Sequence, residues 1–176
     1  KSLPRKVTRS QYEERSKYSN LTKLSYQKDN SYDPVLNTLI ENVKNQGMLY
    51  FDGPRTFGYG GYDSSKNYWT DIANECIKKF NLNKTNAIID IGCAKGYLVE
   101  EFTKNGFDNC YGIDISEYAI DNSPMLVKEK IIKASVLHIP FPANYFDFAF
   151  CIDLLQELPE EIIPVAIKKT QRVSKD

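Results

Sequence analysis

Apolar and polar positions along the chain change rhythm twice. Residues 1–32 show little apolar periodicity and read as a polar arm. In "DPVLNTLIENVKNQG", residues 33–47, Val35, Leu36, Leu39, Ile40 and Val43 share one stripe at helical spacing. Asp33 can cap that helix, Pro34 suits its first position and Gly47 its exit. "MLYFDGPRTFGYGGYDSS" is rich in Gly and Tyr and reads as a loop. A second helix follows, with Tyr68, Trp69, Ile72, Ala73, Cys76, Ile77 and Phe80 on one face and Asp63 or Ser64 as its cap. From residue 86 short apolar runs alternate with amphipathic ones. Strands are expected at 87–91, 109–115, 131–136 and 146–152, and helices at 95–104, 116–122 and 160–173. Strands joined by helical crossovers predict an α/β fold: a Rossmann-like parallel sheet, order 3-2-1-4, with flanking helices and an N-terminal helical extension. The organisation is then an arm at 1–32, helices and a Gly/Tyr loop at 33–85, and the sheet domain at 86–176.

The stretch "AIIDIGCAKGYLVEEF", residues 87–102, carries the clearest chemistry. An apolar strand ends at Asp90, passes through a turn closed by Gly92 and Gly96, and becomes a helix whose positive end faces the turn. In an open parallel sheet ligands bind beyond the carboxyl ends of the strands, at the switch point beside the first strand. About twenty residues further on, "NCYGIDI" ends a second strand at Asp114, where a carboxylate can accept from ribose hydroxyls. The pocket therefore suits a nucleoside. A nicotinamide dinucleotide would bring a negative pyrophosphate to the turn, and S-adenosylmethionine would bring a positive sulfonium and an ammonium. The turn reads Gly-Cys-Ala-Lys-Gly rather than Gly-x-Gly-x-x-Gly. Asp90 repels a pyrophosphate and favours the cationic methionine end, while Lys95, unless it points to solvent, acts the other way. The balance favours S-adenosyl-L-methionine.

Composition narrows the classes further. The chain has 176 residues, 41% of them hydrophobic, which is enough for a packed core. No run of about 18 apolar residues exists, so no membrane partner is expected. The net charge is zero, which argues against a dedicated nucleic-acid binder. Residues 1–30 are basic, with eight Lys or Arg against three Asp or Glu, and suit a solvated arm or one that docks on an acidic partner. The four cysteines, Cys76, Cys93, Cys110 and Cys151, are scattered without a Cys-x-x-Cys pair. They read as reduced thiols of a cytoplasmic protein, and with His138 as the only histidine no metal site is expected.

From about residue 57 to 176 the sequence resembles the class I S-adenosylmethionine-dependent methyltransferases of the small-molecule type. "IIDIGCAKGYL" resembles their first motif, and "YGIDIS" the segment carrying the ribose-binding acid. "KASVLHIPFPANYFDFAFCIDLLQELPEE" is similar to their third and fourth motifs, and "FGYGGYDSSKNYW" to the lead-in of a bacterial subgroup. The resemblance implies that Asp90 sits near the methionine ammonium and that Gly92, Ala94 and Gly96 let the backbone reach the methionine portion. Asp114 would bind both ribose hydroxyls, and Ile115 would pack on adenine. Ser135 and Val136 would face the adenine edge, and Ile152 would approach the sulfonium through its backbone. Ala94 departs from the middle glycine common in the family, and Ser135 from an aspartate. The family fold also continues with further strands after the last helix here. That predicts an open fourth-strand edge at Phe146, Phe148, Phe150 and Ile152, apt for self-association or a partner chain.

Methyl transfer from a sulfonium needs no protein nucleophile, so Cys93 is read as a small turn residue. The catalytic residues and the acceptor, a small molecule by the resemblance, are not named by the sequence. His138 could serve as a base or be a loop residue. Asp153 and Glu157 could orient a substrate or cap a helix. Tyr59 and Tyr62 could form a lid, with backbone freedom from Gly58, Gly60 and Gly61. Asp114→Asn, which keeps shape and one acceptor, should lose less binding than Asp114→Ala. A cofactor-binding module inactive alone and a nicotinamide-binding protein are the competing functions.

Overall fold

A computed structural model describes residues 46–59, 61–62 and 68–175. The arm at 1–32, the helix expected from Asp33, the caps Asp63 and Ser64, and Gly60 lie outside the described residues. The chain divides into two units, one running to Tyr62 and one starting at Asp63.

In the second unit the sheet is built on β1 (Ile88–Ile91), whose four side chains are all buried. A run that is apolar but for Asp90 and buried on both faces fits a central parallel strand. β2 (Cys110–Asp114) and β4 (Phe148–Phe150) flank it in parallel, and β3 (Ile131–Lys133) lies outside β2. The order β3-β2-β1-β4 is the one the sequence predicts. Among the helices, α1 (Met48–Phe51) belongs to the first unit, and α2 (Tyr68–Lys79), α3 (Tyr97–Lys104), α4 (Glu117–Asp121) and α5 (Ile163–Val173) to the second. Among the described residues no helix is long and apolar enough to cross a membrane.

Two apolar layers hold the sheet. On one face Ile88, Cys110 and Phe150 pack with Leu98, Val99 and Phe102 of α3, and Trp69, Ile72, Cys76 and Ile77 of α2 close over them. The middle of the stripe read from sequence, Trp69, Ile72, Ala73, Cys76 and Ile77, is thus the buried face of α2, while its ends, Tyr68 and Phe80, are exposed. Each fully buried Ile or Phe in this layer contributes roughly 1.5–3 kcal/mol. On the other face Ile89, Ile91 and Ile113 pack with Val136, Ile139, Phe146 and, from α5, Ala166 and Val173.

Two strands are shorter than the pattern suggested, for local reasons. β3 stops at Lys133 because Ser135 folds the chain back. Its Oγ accepts from the Leu137 N–H at 3.2 Å and its carbonyl from the His138 N–H at 2.9 Å. A serine that bonds its own backbone two residues on competes with the ladder. Beyond β4, Asp153 takes φ +58° and turns the chain away.

The fourth-strand edge is also less open than expected. The Phe146 N–H donates to the Val173 carbonyl at 2.9 Å, and the Phe146 carbonyl accepts from the Lys175 N–H at 2.8 Å. A parallel bridge joins Phe146 to Ser174, so the residues after α5 cover the start of this edge. Phe146 is fully buried there.

In the first unit α1 and the Gly/Tyr loop close on one ring. Phe51 is buried, with Tyr59 stacked on it at 5.7 Å between ring centroids and Tyr62 edge-on at 5.7 Å. The Tyr59 N–H donates to the Tyr50 carbonyl, and the Tyr62 N–H to Asp52 Oδ1. Added at Gly58, a Cβ would run into the Tyr50 carbonyl, so this glycine serves close packing as well as freedom.

Candidate cofactor site

β1 delivers the chain into the turn, and three residues there take left-handed backbone: Gly92 at φ +77°, Ala94 at +52° and Gly96 at +77°. Only glycine adopts this freely, so Ala94 is held at some cost by its surroundings. What the turn does with its N–H groups decides what it can bind. Gly92 and Cys93 both donate to the Ile113 carbonyl, at 2.8 and 3.0 Å. Ala94 donates to Asp114 Oδ2 at 2.8 Å, and Gly96 to the Cys93 carbonyl at 2.8 Å. Four turn donors are therefore used inside the protein, whereas a phosphate cradle needs such donors aimed at the ligand.

Two carboxylates sit at the adjoining strand ends. Asp114 ends β2 and is tied by both oxygens: Oδ2 to Ala94 and Oδ1 to the Ser116 N–H at 2.8 Å. Each oxygen keeps a lone pair for a further donor. Burial raises the Asp114 carboxyl above the usual range, against the lowering effect of the N–H groups of Ser116, Ala94 and Ile115. Asp90, in β1, is only 5% exposed. Burial, and then the Asp114 charge, push it up to about 7. Two buried carboxyls side by side gain from a cation, which stabilises the charged form of both, and an anion would meet at least the Asp114 charge. This favours a cationic ligand over a pyrophosphate.

The comparisons agree with that chemistry. A sequence profile of the methyltransferase domain family matches residues 89–176. The chain belongs to this family. A curated relative, an uncharacterized protein of Methanocaldococcus jannaschii, is 35% identical over 82 residues, covering 47% of this chain and 34% of that protein. Among solved structures, a SAM-dependent methyltransferase from Aquifex aeolicus aligns with TM-score 0.53 at 24% identity, over 64% of this chain and 63% of that one. YcgJ from Bacillus subtilis aligns with TM-score 0.53 at 18% identity, over 63% and 47%. The cyclase SpnF aligns with TM-score 0.55 at 18% identity, over 80% and 53%. The chain thus spans about a third of its curated relative's length. The structural likeness establishes the Rossmann-like methyltransferase fold, and the cyclase among the neighbours is a reminder that a fold does not name a reaction.

Against the methyltransferase pattern, the remaining expected positions fall as follows. Ile115 lies just past β2 and is 57% exposed, unusually open for an isoleucine beside a core strand. Ser135 lies at the turn after β3 and already accepts from Leu137, while Val136 is buried in the second layer and could offer a ligand only its backbone. Ile152 is half-buried against the first layer. Lys95 does not point to solvent. It is 6% exposed, with Nζ 5.9 Å from the Tyr118 ring centroid, so its charge is held over a ring face. His138 is exposed in the loop after β3. Tyr59 and Tyr62 are in the first unit, packed as described above.

Three contributors escaped the sequence. A Cβ at Gly112 would lie 2.6 Å from Cys93 Sγ, so this glycine makes room for the Cys93 side chain beneath the turn. A glycine inside an otherwise apolar strand is the signal that could have revealed it. Leu154 packs on Gly92, where an added Cβ would meet Leu154 Cβ at 3.1 Å. Tyr118 receives Lys95. The turn glycines are thus excluded from substitution by protein neighbours and by φ, before any ligand is considered. Gly96 is the tightest, since a Cβ there would fall 2.6 Å from Ile131 Cδ1. Among the described residues no cluster of three or more His, Cys, Asp or Glu could hold a metal ion.

Proposed function

We propose that this protein binds S-adenosyl-L-methionine at the carboxyl ends of β1 and β2 and transfers its methyl group to a small-molecule acceptor. The observation that carries the reading is the pair of buried carboxylates, Asp90 and Asp114, beside a turn that spends four N–H groups internally. Asp114 accepts from both ribose hydroxyls with its two remaining lone pairs. Asp90 faces the methionine ammonium. Gly92, Ala94 and Gly96 leave the backbone bare along the methionine portion, Ile115 covers adenine, Ser135 and the Val136 backbone meet its edge, and the Ile152 backbone approaches the sulfonium. When bound, the cofactor supplies an electrophilic methyl group on sulfur. The protein's share is to hold the acceptor in line and to exclude water, which needs no nucleophile of its own. Free cysteines, two of them buried, support a reducing compartment such as the cytoplasm.

A second reading is a cofactor-binding portion that needs further chain for turnover. It is favoured by the chain spanning only 34% of its curated relative. Calorimetric titration with S-adenosylhomocysteine, S-adenosylmethionine and NAD tests the site: the first two should bind and NAD should not. NAD binding with no response to the other two would refute the reading. Methyl transfer from labelled cofactor to a metabolite extract separates an active enzyme from a binding portion.

A further inference from the structure

Asp90 carries a carboxyl group that no charged side chain among the described residues pairs with. It shares a face of β1 with Ile88, and across the sheet its register neighbours are Gly112 in β2 and Phe150 in β4. Among the described residues no hydrogen bond or ion pair reaches its oxygens. The groups that feel its charge are Asp114 and Cys110 of β2, Cys93 of the turn and Cys151 after β4. Burial keeps all three thiols neutral by raising them. The charges of α3 are engaged elsewhere: Glu100 and Glu101 pair with Lys104, and Glu101 also accepts from Thr70 of α2. Lys95 lies over Tyr118. Asp114 is favoured as the ionised member of the pair, because backbone N–H groups from Ala94 and Ser116 stabilise its charge. Of the two carboxyls, Asp90 is therefore the one that holds a proton more readily.

Resting on the cofactor reading above, we propose that Asp90 holds a proton in the ligand-free protein up to neutral pH and releases it when the cofactor's ammonium group becomes its counter-charge. At neutral pH it is half ionised before the ligand binds. The O–H bond breaks, its electron pair stays on the carboxylate, the proton passes to the buffer, and the ammonium takes over the charge balance. Nothing is oxidised or reduced. Cofactor uptake is then tied to pH around neutrality through the strand end. The burial and the Asp114 charge that push Asp90 up to about 7 set the window.

The test uses S-adenosylhomocysteine, which has the ammonium but no sulfonium, so the ammonium is probed alone. Calorimetry at pH 7 in two buffers of different ionisation enthalpy should show release of about half a proton per ligand bound, and affinity should fall about tenfold between pH 8 and pH 6. Asp90→Asn should release no proton and bind with a flat pH profile. Carboxyl-carbon NMR of the free protein should show Asp90 titrating near neutrality and Asp114 below it, and this holds as a check if the variant folds poorly. Binding that is independent of pH with no proton released, a slope that survives in Asp90→Asn, or an Asp90 resonance that titrates at the usual carboxylate pH would each overturn the proposal. Absence of S-adenosylhomocysteine binding at every pH would instead sink the cofactor reading, and the NMR titration would still decide the protonation of Asp90.

Discussion

Each oxygen of the Asp114 carboxylate already accepts one backbone N–H, from Ala94 on one side and Ser116 on the other. That double tie changes what a substitution should do. Asp114→Ala removes charge-assisted bonds worth roughly 1.5–3 kcal/mol each and should weaken S-adenosylhomocysteine binding about tenfold to several hundredfold. From sequence, Asp114→Asn was expected to lose less, because it keeps the shape and one acceptor. The structure reverses that expectation. An amide must turn its NH₂ toward either the Ala94 or the Ser116 N–H, which sets donor against donor and pushes the turn away. Asp114→Asn should therefore bind no better than Asp114→Ala, as titration of the two variants side by side would measure. A tenfold advantage for Asn would mean that the two ties are dispensable.

At the level of elements, β1, the turn and α3 were legible because each local signal agrees: an apolar run, glycines at the turn, and an amphipathic helix after it. The same alternation made the sheet parallel, and its order is the one implied by the resemblance to the methyltransferases. What was hidden was set by side chains meeting across elements. Ser135 ends β3 through its own backbone bonds, although Val136 and the residues before it look strand-like. Met125–Lys130 form a 3₁₀ stretch where the sequence showed only a connection. Of the residues that the fold gathers at these strand ends, Asp90, the glycines and Asp114 stood out in the sequence, but the burial of Lys95 and the partnership of Gly112 with Cys93 did not, since neither leaves a periodic trace. That partnership can be tested. Gly112→Ala should lower the thermal midpoint and weaken ligand binding although it lies one strand away, because its Cβ has no room beside Cys93 Sγ. Cys93→Ala should relieve part of the loss, and a double-mutant cycle should give a coupling of about 0.5–3 kcal/mol. Strict additivity of the two changes would remove the contact from the argument.

Over the whole molecule, two carboxyls pull stability in opposite directions with pH. Asp90 is raised to about 7 in the folded chain, so its folded form binds a proton that the unfolded chain does not. Its contribution is present at acid pH and is lost as pH rises toward 7. Asp147 has the reverse sign. Its Oδ1 receives Lys175 Nζ at 2.7 Å and its Oδ2 the Ala87 N–H at 2.7 Å, joining the chain after α5 to the entry of β1. The Lys175 bond, and then the Ala87 N–H, lower its carboxyl, so its contribution is present above the ordinary Asp range and fades as pH falls through the lowered value. For these two groups the windows meet near the ordinary Asp value, so their combined contribution to the ligand-free protein is greatest at roughly pH 4 and falls as pH rises toward 7. Asp90→Asn should gain most stability at pH 8, less at pH 5 and little at pH 4, and Asp147→Ala should lose stability at both pH 5 and pH 8. Calorimetric melts from pH 3 to 8 would show it, and a fall in melting temperature from pH 5 to pH 8 that Asp90→Asn leaves in place would contradict the assignment.

The Cys93 sulfur, lodged over Gly112 and raised well above the usual thiol range, is out of reach of any reagent while the turn lies on β2. Iodoacetamide can modify it only in moments when the turn lifts. The alkylation rate at this one sulfur is therefore a clock for that opening. Saturating S-adenosylhomocysteine should slow the clock by holding the turn down, while Cys76, half-buried on α2, should be modified at an unchanged rate. Peptide mass spectrometry reads the two sites separately in a single time course, and a ligand that left the Cys93 rate untouched would be bound somewhere other than at this turn.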